Sequence, residues 1–75
     1  SADIRIIMQA AILGNASAMI LSHNHPSGNK QPSSQDDLLT DRVKKAAKLF
    51  DIQLLDHIIV TDSGYYSYLD EGRIL

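Results

Sequence analysis

A His-Asn-His-Pro segment at residues 23–26, followed by Ser-Ser-Gln-Asp at residues 33–36, constrains the fold of this chain most strongly. In an extended strand, side chains two residues apart point to the same face, so the rings of His23 and His25 converge. The proline that follows has no N–H for a sheet ladder, and the nearby glycine frees the backbone, so the chain leaves its strand and turns. Asp36 then returns from the start of the next element as a third ligand.

Two imidazoles and one carboxylate with an open fourth position are typical of a catalytic zinc site rather than a structural one. Ser33-x-x-Asp36 is also a capping-box-like signature at a helix start, and taken alone it favours the cap. The two roles are compatible. With the histidine pair upstream, we predict that His23, His25 and Asp36 all bind the metal.

Length and composition limit the other functions that the chain can have. Its 75 residues make one small domain, near the size at which a single core is marginally stable. The net charge of −2 and the lack of a basic run give no electrostatic footprint for nucleic acid. There is no cysteine, which excludes disulfides and thiolate zinc sites. No targeting or membrane-spanning segment is recognisable, and we expect a cytoplasmic protein.

Periodicity predicts the order helix, strand, helix, strand, strand, which is an α/β layer architecture. The first helix has an apolar stripe, can be capped by Ser1 or Asp3, and stops at Gly14-Asn15. The other predicted elements are a strand over residues 17–22, a helix over about 34–50, and strands over 53–61 and 65–69 that pair as a hairpin.

The predicted first strand, residues 17–22, lacks alternation and is expected to be buried on both faces. A helix in first position that feeds such a strand indicates that further strands flank the sheet. Three strands alone would leave an apolar edge exposed. We therefore expect that the chain is a fragment, or that a partner chain or a second copy covers this edge.

The motif His23-x-His25, seven residues that begin with Pro26, Ser33, two residues, Asp36 matches the JAMM (MPN+) metalloprotease motif position by position. The surrounding sequence resembles the RadC branch of that superfamily. The resemblance covers essentially the whole chain, as one N-terminally truncated domain over residues 1–75. It rests on Ser-His-Asn-His-Pro-Ser-Gly at 22–28, Pro-Ser at 32–33, Leu-Leu-Asp-His-Ile-Ile-Val at 54–60 and Tyr-Ser at 66–67.

The resemblance implies a cytidine-deaminase-like (MPN) α-β sandwich, with zinc (Zn2+) held by the three predicted ligands. It assigns to Ser33 the hydroxyl that stabilises a tetrahedral oxyanion, and it implies a peptide or isopeptide amide as substrate. Enzymes of the superfamily use a glutamate from an N-terminal strand as general base. The one glutamate here, Glu71, does not match that position. We expect this chain to keep its metal ligands and lack its base.

Two further residues are candidates for contacts behind the ligands. By alternation His57 shares a face with Leu55 and Ile59, which favours a buried, hydrogen-bonded core histidine. Asp56 falls on the opposite face with Leu54, where a buried carboxylate needs a partner. It is a candidate to orient a loop or a ligand histidine.

Three functional classes follow. The first is a zinc-dependent amide or isopeptide hydrolase, and the second is a non-catalytic MPN-type scaffold. The third is a role on DNA, since the RadC family carries a DNA-repair association. The His-Asn-His string is no evidence for an HNH nuclease, because those enzymes take their three residues from separated places. A zinc deaminase is excluded because it needs cysteine ligands.

Overall fold

A computed structural model describes residues 3–74 of the chain. Its element order is helix, strand, helix, strand, strand, so the predicted α/β order is confirmed. The elements are α1 (Ile4–Leu13), β1 (Ala18–Asn24), α2 (Ser34–Leu49), β2 (Gln53–Thr61) and β3 (Gly64–Ser67).

The ends of α1 follow from local hydrogen bonds. The Asp3 carboxylate accepts from the Arg5 N–H and caps the helix, as predicted. The alternative cap, Ser1, lies outside the described residues. Gly14 is the C-cap, and Asn15 then takes a left-handed conformation with φ 54°, which confirms the predicted stop.

The three strands form one sheet in the order β1-β2-β3. β1 and β2 are parallel and α2 connects them, whereas β2 and β3 are antiparallel and form the predicted hairpin. The parallel pairing brings the carboxyl ends of β1 and β2 to the same edge of the sheet, with His23 opposite Ile59. This is where open α/β sheets commonly hold their sites.

Two expectations about burial are wrong in the structure, namely that the first strand is buried on both faces and that Leu55 shares the buried face of His57. β1 is not buried on both faces, because it lies at one edge of the sheet and its residues alternate, with Ile20 56% exposed. The helices cover one face only, since α2 packs on β2 and α1 packs on α2. In β2, the pairing register skips Leu55, which puts Leu54 into the core and leaves Leu55 39% exposed.

The core lies between this sheet face and the two helices, and the segment after β3 closes it. Tyr68 and Ile74 of that segment are each only 2% exposed. The other buried apolar residues are Met8, Ala11, Val43, Ala47, Ile52, Leu54 and Ile59. No helix within residues 3–74 has both the length and the apolar character needed to cross a bilayer.

A shared carboxylate ties the C-terminal segment to α2. The Tyr68 hydroxyl donates to Asp37 Oδ1 at 2.6 Å, and the Arg73 guanidinium contacts the same oxygen at 2.7 Å. The hydrogen bond from Tyr68 holds the pKa of Asp37 below its usual value, although partial desolvation opposes it. A carboxyl whose pKa is lowered by folding stabilises the protein above its unfolded pKa and loses that contribution in acid.

We predict that Tyr68→Phe, which keeps the ring in the core, lowers the free energy of unfolding by about 1 kcal/mol at pH 7. The difference from the unchanged protein should shrink below about pH 4, where Asp37 is protonated in the unfolded chain and then in the folded one. Urea melts from pH 7 to pH 2.5 measure this. Tyr65→Phe is the control, because Tyr65 is 61% exposed. A difference that is the same at both ends of the pH range contradicts the prediction.

Candidate metal centre

The structure brings His23, His25 and Asp36 together. One ligand atom from each lies within 4.8 Å of the others. His23 Nε2 is 3.1 Å from Asp36 Oδ1, and His25 Nε2 is 3.0 Å from Asp36 Oδ2. His23 belongs to β1, and His25 continues that geometry because its N–H donates to the Val60 carbonyl at 3.0 Å. The two rings therefore share one face, as the i, i+2 spacing predicts.

The ring of His25 is oriented by the loop that follows. Its Nδ1 lies 2.9 Å from the Asn29 carbonyl oxygen, which can only accept. We therefore assign the ring proton to Nδ1. With the ring proton on Nδ1, Nε2 is the nitrogen left to bind a metal ion beside Asp36.

Asp36 is held by the capping box of α2. The Ser33 N–H donates to Asp36 Oδ2 at 2.7 Å, and the Asp36 N–H donates to Ser33 Oγ at 3.1 Å. Burial works to raise the pKa of Asp36, but the Ser33 N–H, the nearby Ser33 side chain and the neighbouring histidines outweigh it and hold the pKa below its usual value. The cap leaves Oδ1 facing His23. The same carboxylate therefore caps the N-terminus of α2 and contacts the rings of His23 and His25.

Ser33 acts as the helix cap, which was one of its two predicted roles. In that role its oxygen accepts a hydrogen bond, so the hydroxyl hydrogen is still able to donate. The side chain is exposed beside Asp36. Capping and donation to an oxyanion therefore do not compete for the same atom, and the second role stays a prediction.

His57 is the buried, hydrogen-bonded histidine that alternation predicts, and it also contacts a predicted ligand. It is 1% exposed and stacks on Tyr68, with ring centroids 5.0 Å apart. Its Nε2 lies 2.9 Å from His23 Nδ1, and its Nδ1 lies 2.6 Å from Thr40 Oγ1. Burial lowers the pKa of His57, and the proximity of His23 lowers it further.

Thr40 was not singled out from the sequence. It lies four residues after Asp36 in α2, so both residues share one helix face. That i, i+4 spacing was the available signal. The spacing does not predict that Thr40 contacts His57, however, because the two residues meet only in the folded chain.

Asp56 orients a loop and not a ligand histidine. Its Oδ1 accepts from the N–H of His57 at 2.7 Å and from the N–H of Leu69 at 2.9 Å. Its Oδ2 accepts from the Ser67 hydroxyl. The buried carboxylate thus has the partners that burial requires, and they fix the turn after β3 to β2.

The three predicted ligands fit zinc. Two imidazole nitrogens and a carboxylate oxygen form a usual catalytic donor set, and tetrahedral bonds of about 2.0–2.1 Å place neighbouring donors about 3.4 Å apart. The two ring nitrogens lie 3.1 and 3.0 Å from the two different oxygens of Asp36, slightly below that spacing. The His23 side chain is 34% exposed, and it borders a cleft of about 560 Å³ that also includes Ile7, Leu38 and Arg42. The His23 ring is therefore accessible from this cleft.

Comparison with known proteins adds a family. A family model described as "RadC-like JAB domain" matches residues 1–73. A "UPF0758 protein" of Porphyromonas gingivalis is 56% identical over 75 residues, which is 99% of this chain and 33% of the relative. A "UPF0758 protein" of Thermotoga maritima is 44% identical over 70 residues, which is 93% of this chain and 32% of the relative. The chain thus spans about a third of the length of the curated relatives it matches.

We predict that Ser33→Ala lowers the free energy of unfolding by about 1 kcal/mol, the usual cost of losing a helix cap. The N–H of residue 33 remains, so Asp36 Oδ2 keeps its backbone donor, and metal affinity should change less than threefold. Ser34→Ala is the matched control, because this neighbour is exposed and is not the cap. Chemical denaturation and metal titration measure the two effects, and equal stability of both variants contradicts the assigned cap.

Proposed function

The chain belongs to the family of RadC-like JAB domains, and we propose that it is the metal-binding part of a zinc-dependent hydrolase of amide or isopeptide bonds. One observation carries the proposal, namely the convergence of His23, His25 and Asp36 with their ligand atoms within 4.8 Å of one another. Paired imidazoles with one carboxylate leave a fourth position for water or substrate.

The residues of this chain divide the work by position. His23, His25 and Asp36 would hold the ion, which when bound polarises a carbonyl and acidifies water. The Asn29 carbonyl orients the ring of His25, and His57 orients the ring of His23, in each case through the Nδ1 atom of the ligand ring. We assign to the Ser33 hydroxyl the donation of a hydrogen bond to the oxygen on which negative charge develops.

We place the general base outside these 75 residues. Glu71 is the one glutamate of the chain, and it lies in the turns after β3, where its N–H bonds the Ser67 carbonyl. It does not belong to the three-residue cluster. Since the curated relatives are about three times as long as this chain, the proposal assigns the base to another part of the protein.

A non-catalytic scaffold is the second candidate. It is favoured by the uncovered sheet, where Ile20, Val60 and Tyr65 are 56, 38 and 61% exposed. Such a surface suits a partner chain or a second copy of this one. A direct role on DNA has the least support, since the net charge is −2. Both main candidates are proposed for the cytoplasm.

The first test is metal content. We predict about one zinc ion per chain, as expected for a mononuclear site, and loss of that binding in His23→Ala, His25→Ala and Asp36→Ala. Asp41→Ala is the control, because Asp41 is an exposed carboxylate of the same helix, paired with Lys45. Elemental analysis after dialysis and chelator competition give the measurement. Unchanged zinc in any ligand variant overturns the assignment.

The second test separates the hydrolase from the scaffold. We predict that residues 1–75 loaded with zinc give negligible hydrolysis of peptide and isopeptide substrates, because the general base is missing. A longer chain that includes the segment before residue 1 should turn over. In that longer chain, Asp36→Ala should remove activity, and Asp41→Ala should retain it. Robust turnover by the 75 residues shows that the base is misplaced, and zinc binding without turnover in the longer chain favours the scaffold.

A further inference from the structure

We propose that Thr40 is a positioning residue of the metal centre, because it completes a hydrogen-bond relay that fixes the tautomer in which His23 can bind metal through Nε2. The relay runs from His23 through the buried His57 to Thr40 and ends on the backbone carbonyl of Asp36. The inference rests on the proposed metal binding and adds the group that selects the ligating form of one ligand.

The relay has short contacts throughout. His23 Nδ1 is 2.9 Å from His57 Nε2, and His57 Nδ1 is 2.6 Å from Thr40 Oγ1. The Thr40 hydroxyl is also 2.7 Å from the Asp36 carbonyl oxygen, which can only accept. Thr40 and His57 are 5% and 1% exposed, so water does not readily replace either partner.

Proton positions follow from the requirement for metal binding. A neutral imidazole carries one N–H, so a metal on His23 Nε2 requires the proton on His23 Nδ1. His57 Nε2 must then accept, which leaves the His57 proton on Nδ1. That N–H needs an acceptor, and Thr40 Oγ1 supplies it while the hydroxyl hydrogen turns to the Asp36 carbonyl. Every donor then has an acceptor.

The opposite arrangement uses the same atoms and excludes the metal. If the Thr40 hydroxyl donates to His57 Nδ1, then His57 donates from Nε2 to His23 Nδ1. The His23 proton then lies on Nε2 and faces Asp36 Oδ1 at 3.1 Å, where it occupies the lone pair that the metal needs. The two arrangements therefore differ in the rotation of the Thr40 hydroxyl. When this hydroxyl donates to the Asp36 carbonyl, His23 has the tautomer that can bind a metal.

A side chain of the same shape without the hydroxyl discriminates this role from packing. In Thr40→Val, the ligating arrangement leaves the His57 Nδ1–H buried without an acceptor, and the metal must bind against that cost. Contacts behind a ligand histidine typically change metal affinity by about 10- to 100-fold. We expect a loss of that size for Thr40→Val, whereas Thr40→Ser restores affinity to within about threefold of the unchanged protein.

The closing experiment measures zinc affinity by chelator competition, and the visible spectrum of the cobalt(II) form, for both Thr40 variants. Ile52→Val is the matched control for a small core defect, because Ile52 is 6% exposed and lies outside the relay. If stability falls equally in Thr40→Val and Ile52→Val but affinity falls only in the first, packing is excluded. Equal affinity of Thr40→Val and the unchanged protein overturns the proposal.

A second measurement needs no variant and remains decisive if Thr40→Val fails to fold. Long-range proton–nitrogen correlation of the histidine rings in the zinc-loaded protein should show His57 protonated on Nδ1 and unprotonated on Nε2. A proton on Nε2 overturns the relay while leaving the metal site intact. If the unchanged protein binds no zinc at all, the proposed function and the relay both fail, and this outcome is distinct from loss in the variant alone.

Discussion

The rest of this site depends on the contacts of the Asp36 carboxylate, because they join the start of α2 to the end of β1. One oxygen takes the Ser33 N–H of the capping box, and the two oxygens together face both histidine rings. Helix capping and ligation therefore require the same placement of one side chain. A carboxylate in the first turn is also favoured by the positive end of the helix dipole, so the helix itself stabilises the ligand in its charged form.

The parallel pairing of β1 with β2 explains why a histidine from a distant part of the chain lies behind His23. In the register, Leu21 is opposite His57 and His23 is opposite Ile59, so His23 and His57 are diagonal neighbours across the two strands. Their side chains meet at 2.9 Å because neither is displaced by a bulge at that point. The register shift falls earlier, between Met19 and Ile20, where it moves Leu55 out of the core without disturbing this pair.

Local sequence patterns predicted the element order, the stops of α1, the hairpin and the convergence of the three ligands, because each depends on spacing within a short segment. The alternation rule failed where it needed the partner strand, at Leu55, since a register shift is decided by pairing across the sheet. The burial prediction also failed for β1. Its apolar residues indicate a buried strand, but β1 lies at the edge of the sheet and the described residues do not cover both of its faces. The role of Thr40 depends on tertiary structure in the same way, because a threonine in a helix has no distinctive sequence pattern and its contact with the His57 ring forms only on folding.

Main-chain groups of the loop and first turn that follow β1 hold the ligand side chains. The Asn29 carbonyl orients His25, the Ser33 N–H holds one oxygen of Asp36, and the Asp36 carbonyl lies 2.7 Å from the Thr40 hydroxyl behind His57. All three belong to residues 29–36, so the path of this backbone, more than its side chains, sets the geometry of the ligands. Lys30 and Gln31 are exposed within it. A change in loop length would move all three main-chain groups at once. A fixed spacing between the histidine pair and the aspartate is therefore a requirement of the backbone geometry itself.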